Sequence, residues 1–169
     1  MEQMVVMPLP RLDLLCKTDH ITSVKEKIIR QYPQLSDKKK KIIVYAPTFR
    51  KEGGNFEEKE LEAAAERLAE TVDYERYSLV VKFHPLSEIS LHNQNVIQDK
   101  IFSTIDFCQM ADIVILDYSA VVFEIALLGK PMYFYAFDYD SYMKNRDVYI
   151  DFKTCVPGVI SADPRELMT

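Results

Sequence analysis

The 169-residue sequence contains few cysteines, few glycines and no tryptophan. Its three cysteines, Cys16, Cys108 and Cys155, are scattered and form no Cys-x-x-Cys pair. The three histidines are also far apart, so the sequence has no zinc-ligand spacing and predicts no metal centre. An odd number of unpaired cysteines without a signal-peptide pattern favours a reducing, cytoplasmic compartment.

Long apolar runs and an excess of positive charge are missing as well. The longest apolar stretches fall well short of the roughly 20 residues that cross a bilayer, so we expect any membrane contact to be peripheral. A formal net charge of −5 argues against nonspecific nucleic-acid binding, which depends on Lys and Arg neutralising phosphates. The one notable cationic run, Lys38–Lys41, directly precedes a predicted strand, where such a run is usually solvated.

With 48% hydrophobic and 28% charged residues, the chain has the composition of a globular protein with a substantial core. From residue 41 onwards, β-rich runs alternate with helical patterns. The predicted strands are Lys41–Ala46, Ser78–Phe83, Asn95–Ile97, Ile113–Leu116 and Pro131–Tyr135. The predicted helices are Glu57–Val72, Thr104–Met110 behind the cap Ser103, and Ala120–Leu128. Repeated β-α-β units predict an α/β fold with an open, doubly wound parallel sheet covered by helices on both faces.

We expect the chain to consist of a short lead-in segment and one larger domain. Residues 1–40 are predicted to be a lead-in segment, with a loop and an amphipathic helix around Ser23–Tyr32. Residues 41–169 are predicted to form the α/β domain. Near the end of the chain, Asp163 and Pro164 have the pattern of a helix cap and first turn, but few residues follow them to complete a helix. We therefore expect the chain to be a fragment of a larger protein.

Polar residues follow three of the predicted strands, in Ala46–Arg50, Lys82–Pro85 and Asp117–Ala120. Ligands of doubly wound sheets bind beyond the carboxyl ends of the strands, so we expect these segments to converge on one rim. A strand that leads directly into a helix leaves backbone N–H groups free for an anion, and Ser119 adds a hydroxyl. The alternative is that Ser119 or Asp117 only caps the helix.

Two further side chains could carry chemistry. His84 could act as acid, base or cationic clamp, or it could be a strand-end histidine bonded to neighbouring backbone. Lys82 could add positive charge or extend along the sheet edge with its charge in solvent. Glu124 lies in an otherwise apolar helix, where a carboxylate must pair, face solvent or bind a polar ligand.

A tyrosine-rich segment follows the last predicted strand. Its tyrosines could pack a loop against the sheet, while Arg146 could hold a phosphate through two parallel hydrogen bonds. The sequence contains neither the G-x-G-x-x-G dinucleotide fingerprint nor the Walker phosphate loop. The nature of the ligand is therefore open at this level.

The motifs together resemble the carboxy-terminal part of the CDP-glycerol/CDP-ribitol polyol-phosphate transferases, the family of teichoic acid polymerases and primases. The matching stretches are PLPRLDLL (8–15), YAPTFR (45–50), VVKFHP (80–85), ADIVILDYSAVVFEIALLGKPMYFYAFDYDSY (111–142) and RDVYIDF (146–152). They occur in the order of the family and cover most of the chain. The family often has a second serine where this chain has Ala120, so Ser119 is the one hydroxyl at that point.

The resemblance implies a GT-B enzyme of two Rossmann-like halves, of which this chain is the carboxy-terminal, donor-binding half. It implies that Glu124 binds the ribose hydroxyls and that His84 and Arg50 are catalytic. The remaining residues expected to bind the donor are Thr48, Lys82, Asp117, Tyr118, Ser119, Ala120, Arg146 and Tyr149.

The implied reaction transfers a polyol phosphate from CDP-glycerol or CDP-ribitol to a teichoic acid hydroxyl and releases CMP, without a cofactor or metal. The resemblance places the acceptor base in a missing amino-terminal half and the full enzyme at the inner face of the bacterial plasma membrane. Two alternatives are the donor half of a UDP-sugar glycosyltransferase or epimerase, and a non-catalytic Rossmann-like binding module.

Overall fold

The computed structural model describes residues 12–50, 55–145 and 150–168. The strands are β1 (Lys41–Tyr45), β2 (Tyr77–Val81), β3 (Ile97–Gln98), β4 (Ile113–Leu116), β5 (Met132–Tyr135) and β6 (Val159–Ser161). The α-helices are α1 (Asp13–Cys16), α2 (Thr18–Gln31), α3 (Asn55–Thr71), α4 (Thr104–Met110), α5 (Val122–Ala126), α6 (Tyr139–Asn145), α7 (Phe152–Cys155) and α8 (Pro164–Leu167). A short 3₁₀ helix, Pro33–Ser36, follows α2.

The six strands form one parallel sheet in the order β3-β2-β1-β4-β5-β6. This order confirms the predicted doubly wound, Rossmann-like α/β fold. The chain moves outward from β1 to β3, then returns to place β4 on the other side of β1. The loops after β1 and β4 therefore diverge, and this reversal is where such sheets form a ligand crevice.

Side-chain alternation along the strands builds a separate core on each face of the sheet. Ile43 and Tyr45 of β1 pack on the α3 face with Leu68. The other face carries Val44, which packs with residues of α2, α4 and α5, including Ile28 of α2. Helix α2 lies within the predicted lead-in segment, so that segment shares a core with the main domain.

Several helices and strands occur where local sequence patterns predicted them. The predicted helix Thr104–Met110 and strand Ile113–Leu116 have the predicted bounds. Ser103 caps α4 in a reciprocal capping box with Asp106, because each side chain accepts the other residue's backbone N–H. None of the helices in the described ranges combines the length and apolarity needed to span a bilayer.

A buried cluster around Lys82 joins β2 to the segment after β3. The Lys82 Nζ atom donates to the carbonyls of Asp99 (2.8 Å) and Phe102 (2.6 Å) and pairs with the Asp99 carboxylate. Tyr32 donates its hydroxyl to Asp99 at 2.7 Å. Burial alone would raise the pKa of Asp99, but hydrogen bonds from Lys82, Tyr32 and the Phe102 amide outweigh it and hold that pKa below its usual range.

We expect D99N to lower the free energy of unfolding by about 3 kcal/mol at pH 7, because it leaves the buried ammonium of Lys82 without a counter-charge. A carboxyl with a depressed folded pKa stabilises the protein above its unfolded value of about 4, and this contribution is lost as pH falls through the folded pKa. Urea unfolding should therefore show a difference between wild type and D99N that shrinks towards pH 3. The exposed Glu75 provides a control, since E75Q should change stability by less than about 0.5 kcal/mol. An equal effect of D99N at both pH values would contradict this account.

Candidate active site

The three polar strand ends converge on one rim, as predicted. A cavity of about 300 Å³ lies there and is lined by residues 46–49 after β1, residues 82–85 after β2, and Ser119 and Val121 after β4. Parallel strands bring their carboxyl ends to the same edge, so this meeting follows from the sheet itself.

Beneath the rim, Arg50 and Asp117 form a buried ion pair. Asp117 is fully buried and accepts hydrogen bonds from the Thr48 N–H (2.8 and 2.9 Å), the Thr48 hydroxyl (2.5 Å) and Arg50 Nη2 (2.8 Å). Arg50 is 3% exposed and also donates to Asp138 (Nε, 2.9 Å) and to the Thr48 carbonyl (Nη1, 2.8 Å). These bonds join the loops that follow β1, β4 and β5.

Aromatic rings enclose the Arg50 guanidinium. Its Cζ atom lies 4.7 Å from the Tyr142 ring centroid and 5.3 Å from that of Tyr118. Tyr118 stacks on Tyr142 and donates its hydroxyl to Asp138 at 3.0 Å. Burial alone would lower the pKa of Arg50, but Asp117 and Asp138 outweigh it and raise that pKa, so the guanidinium stays charged. Burial, reinforced by Asp138, raises the pKa of Tyr118 and keeps the phenol neutral.

These contacts change the expected role of several predicted site residues. Thr48, Asp117 and Tyr118 use their polar groups to bind one another, Arg50 or Asp138. Arg50 was expected on the rim, but its donors are directed inward because the carboxylates of Asp117 and Asp138 bind them. Its geometry is that of a group that positions the rim loops.

Lys82 is among the residues that line the rim cavity, yet its ammonium is bound to Asp99 and Phe102. Neither alternative considered for it, a charge at the rim or a charge in solvent at the sheet edge, describes this arrangement. The ammonium is held in the interior by Asp99, which lies 17 residues further along the chain. The residues around Lys82 in the sequence do not predict this partner.

His84 is the exposed polar side chain of the rim cavity. Its Nδ1 atom accepts a hydrogen bond from the Leu86 N–H at 3.2 Å, and its ring stacks on Phe49 with centroids 4.5 Å apart. The backbone contact considered for His84 is thus present, and it leaves the Nε2 side of the ring available. Since Nδ1 accepts, the proton of the neutral ring lies on Nε2. The geometry therefore makes His84 a hydrogen-bond donor.

A second cavity of about 540 Å³ adjoins the first and contains Ser119, Ala120 and Glu124 on one side. Ser119 and Val121 line both cavities, so the two meet there. Glu124 is partly exposed and faces this space, and it also has a partner within the protein.

The helix expected over Ala120–Leu128 is shorter than predicted. Residues 120 and 121 form a turn, and α5 covers only Val122–Ala126. The Ser119 Oγ atom accepts weakly from the Val121 N–H at 3.4 Å, while Asp117 is committed to Thr48 and Arg50. Five residues give only a small helix dipole, so α5 provides little of the helix-start charge on which the anion site predicted at Ser119 was based.

Sequence reasoning missed part of the larger cavity. It is also lined by Leu15 and His20 in the lead-in segment and by Ser103 and Gln109 of the α4 region. The available signal was Gln109, a polar residue within the apolar run Phe107–Met110.

Two predicted site residues, Arg146 and Tyr149, lie outside the described residues, so their roles stay predictions. Within the described part of the chain, no cluster of His, Cys, Asp or Glu side chains has a metal-binding arrangement. The three cysteines are free thiols.

Comparison with known proteins identifies the chain's relatives. It is 35% identical over 174 residues to the teichoic acid ribitol-phosphate primase of Bacillus spizizenii, covering 99% of this chain and 44% of that protein. It is 34% identical over 166 residues to the ribitol-phosphate polymerase TarK of Staphylococcus aureus, covering 94% and 32%. The chain thus spans less than half the length of either relative.

Solved structures agree. The wall teichoic acid polymerase TagF superposes with a TM-score of 0.73 at 25% identity, over 98% of this chain and 42% of TagF. A UDP-GlcNAc 2-epimerase from Neisseria meningitidis shares the fold, with a TM-score of 0.57 at 18% identity over 93% of this chain and 43% of the epimerase. Both likenesses fit the predicted Rossmann-like half of a GT-B fold.

The resemblance drawn from the motifs is confirmed over the whole chain. The model of the CDP-glycerol:poly(glycerophosphate) glycerophosphotransferase family matches residues 1–169. The chain is therefore a member of the CDP-glycerol:poly(glycerophosphate) glycerophosphotransferase family.

Proposed function

We propose that this chain binds the donor of a transferase that moves a polyol phosphate from CDP-glycerol or CDP-ribitol to a teichoic acid hydroxyl, with release of CMP. The observation that carries the proposal is the meeting of two cavities at Ser119 and Val121. A nucleotide that enters beside Glu124 and passes Ser119 reaches His84. Support for a CDP-linked donor comes from the family and from TagF, of which one variant was soaked with CDPG.

The nucleoside belongs in the larger cavity. Its volume of about 540 Å³ falls in the usual range of small-ligand sites. Glu124 supplies a carboxylate there, and a carboxylate can accept hydrogen bonds from both hydroxyls of a ribose. Placing the ribose at Glu124 directs its 5′-phosphate towards Ser119, where the cavities meet.

The diphosphate then lies across Ser119, with the β-phosphate towards His84. The oxygen of the acceptor hydroxyl attacks the β-phosphorus, the bond from that phosphorus to the bridging oxygen breaks, and the electron pair leaves with CMP. The Ser119 hydroxyl and the Nε2–H of His84 stabilise the negative charge that develops on the phosphate oxygens. Because Arg50 and Lys82 are committed elsewhere, the donors that the described residues offer to the phosphates here are neutral.

The proton of the acceptor hydroxyl needs a base. His84 is set as a donor by its bond from Leu86, so it does not take this role in our proposal. We assign the base to the portion of the related transferases that this chain does not span. The acceptor chain and a peripheral position at the inner face of the bacterial plasma membrane belong to the same proposal, which requires neither metal nor cofactor.

We expect E124Q to weaken CMP binding about 10–100-fold, because a carboxylate accepting from both ribose hydroxyls makes stronger, charge-assisted hydrogen bonds than an amide. Isothermal titration calorimetry of the chain with CMP measures the loss. E70Q, at an exposed position of α3, is the matched control and should bind CMP like wild type. If E124Q bound CMP as tightly as wild type, Glu124 would have no part in the donor site.

The same titrations with wild type compare the alternative functions. Tighter binding of UDP than of CDP would favour the UDP-sugar alternative, and binding of neither nucleotide would favour a non-catalytic module.

His84 should affect only ligands that carry a β-phosphate. H84A is expected to weaken CDP binding about tenfold, the loss of one hydrogen bond to a charged group, and to leave CMP binding unchanged. Side-by-side titrations of CDP and CMP test this. The exposed His92 offers the control variant H92A, which should alter neither affinity. Equal losses for CDP and CMP would place His84 away from the β-phosphate.

Arg50 should act through the rim loops. R50K keeps the charge but loses the planar fork that bridges Asp117 and Asp138, and we expect unfolding free energy to fall by about 2–4 kcal/mol. In the folded protein at low temperature, CDP should also bind about tenfold more weakly, because Thr48 and Ser119 lose their fixed positions. R165K, at an exposed ion pair, is the control for both measurements. A stability loss with wild-type CDP affinity would show that Arg50 supports the fold alone.

A further inference from the structure

Gln109 is a buried amide in the wall of the larger cavity. It is 4% exposed, lies in the last turn of α4, and faces the same cavity as Glu124 and Ser119. Its Oε1 atom has no hydrogen-bond partner among the described residues. Burying a hydrogen-bond acceptor without a partner costs free energy, so the presence of an unpaired acceptor at this position needs a physical reason.

The other polar side chains that line this cavity are more exposed than Gln109. Ser103 and Asp106 satisfy each other's backbone in the α4 capping box, at 3.1 and 3.0 Å. Ser119 accepts from the Val121 amide, and Glu124 has its own partner. Among the described polar side chains of the cavity, Gln109 is thus the one that is buried with an unpaired atom.

The surroundings of Gln109 suit a flat heterocycle. Leu15, Ile105 and Val121 line the same cavity and provide apolar surface for the faces of a ring. A primary amide offers one acceptor and one donor side by side, and rotation about the broad χ3 torsion presents either to the cavity. Cytosine carries the complementary pair on its Watson–Crick edge, the N4 amine as donor and N3 as acceptor.

We propose that Gln109 binds the base of the donor by hydrogen-bonding the Watson–Crick edge of cytosine, with Oε1 accepting from the N4 amine and Nε2 donating to N3. This inference rests on the proposed function, because it requires a cytidine nucleotide whose ribose lies at Glu124. The unpaired atom is an acceptor, and the N4 amine of cytosine is a donor. The burial of Gln109 makes the contact selective against a ligand that carries no polar group in place of the amine, since such a ligand leaves Oε1 unsatisfied.

The test compares Q109M with wild type. We expect Q109M to be as stable as wild type or more stable in urea, because methionine replaces an unpaired buried amide at similar volume. Its affinity for CMP should fall about 10–100-fold by calorimetry. The 5′-monophosphate of pyrimidin-2-one riboside, which lacks the amine but keeps N3, should bind wild type more weakly than CMP does. Q109M should not discriminate between these two ligands, because it lacks the amide oxygen with which the amine would pair.

Gln98 provides a matched control outside the cavity. Its amide is fully bonded to the backbone of Leu91, at 2.7 and 3.0 Å, so Q98M should lower stability and leave CMP binding unchanged. Wild-type CMP affinity in Q109M, or undiminished discrimination against the amine-free ligand, would overturn the inference and leave the proposed function standing. Failure of wild type to bind either CMP or CDP would overturn both.

Discussion

The Arg50 guanidinium, held between Asp117 and Asp138, is the interaction on which the rim depends. It ties together the loops that follow β1, β4 and β5. A buried charge is costly unless it is paired and hydrogen-bonded. Here Thr48 and Tyr118 donate further hydrogen bonds to the two carboxylates that hold Arg50.

The direction of these charged groups has a consequence for the chemistry. Among the described residues, Arg50 after β1 and Lys82 after β2 are each neutralised by a buried carboxylate. A diphosphate at Ser119 would therefore meet a hydroxyl, backbone N–H groups and the Nε2–H of His84. Donors fixed in this way do not need to reorganise as charge moves onto the leaving phosphate, which is the basis of electrostatic preorganisation.

The parts of the fold that could be predicted from the sequence are those with local causes. The strand Ile113–Leu116 and the helix cap Ser103 each depend on neighbours within a few residues, and both occur where expected. The orientation of Arg50 depends on Asp138, 88 positions away, and that of Lys82 depends on Asp99 across a strand and a loop. A pattern of residues places these side chains at strand ends, but only the packed structure decides whether they face the ligand or the interior.

Unpaired buried groups carry information about function only in combination with their location. The Tyr45 hydroxyl also lacks a partner, yet Tyr45 is fully buried in the α3-face core and lines neither of the two cavities of the candidate site. Gln109 breaks the same rule beside an open space that also contains Glu124 and Ser119. Natural sequences satisfy local rules almost everywhere and depart from them mainly at functional sites. The unpaired Tyr45 hydroxyl does not indicate a ligand site, because no ligand can reach the buried core. For Gln109 the adjoining cavity supplies the route by which a ligand could complete the missing hydrogen bonds.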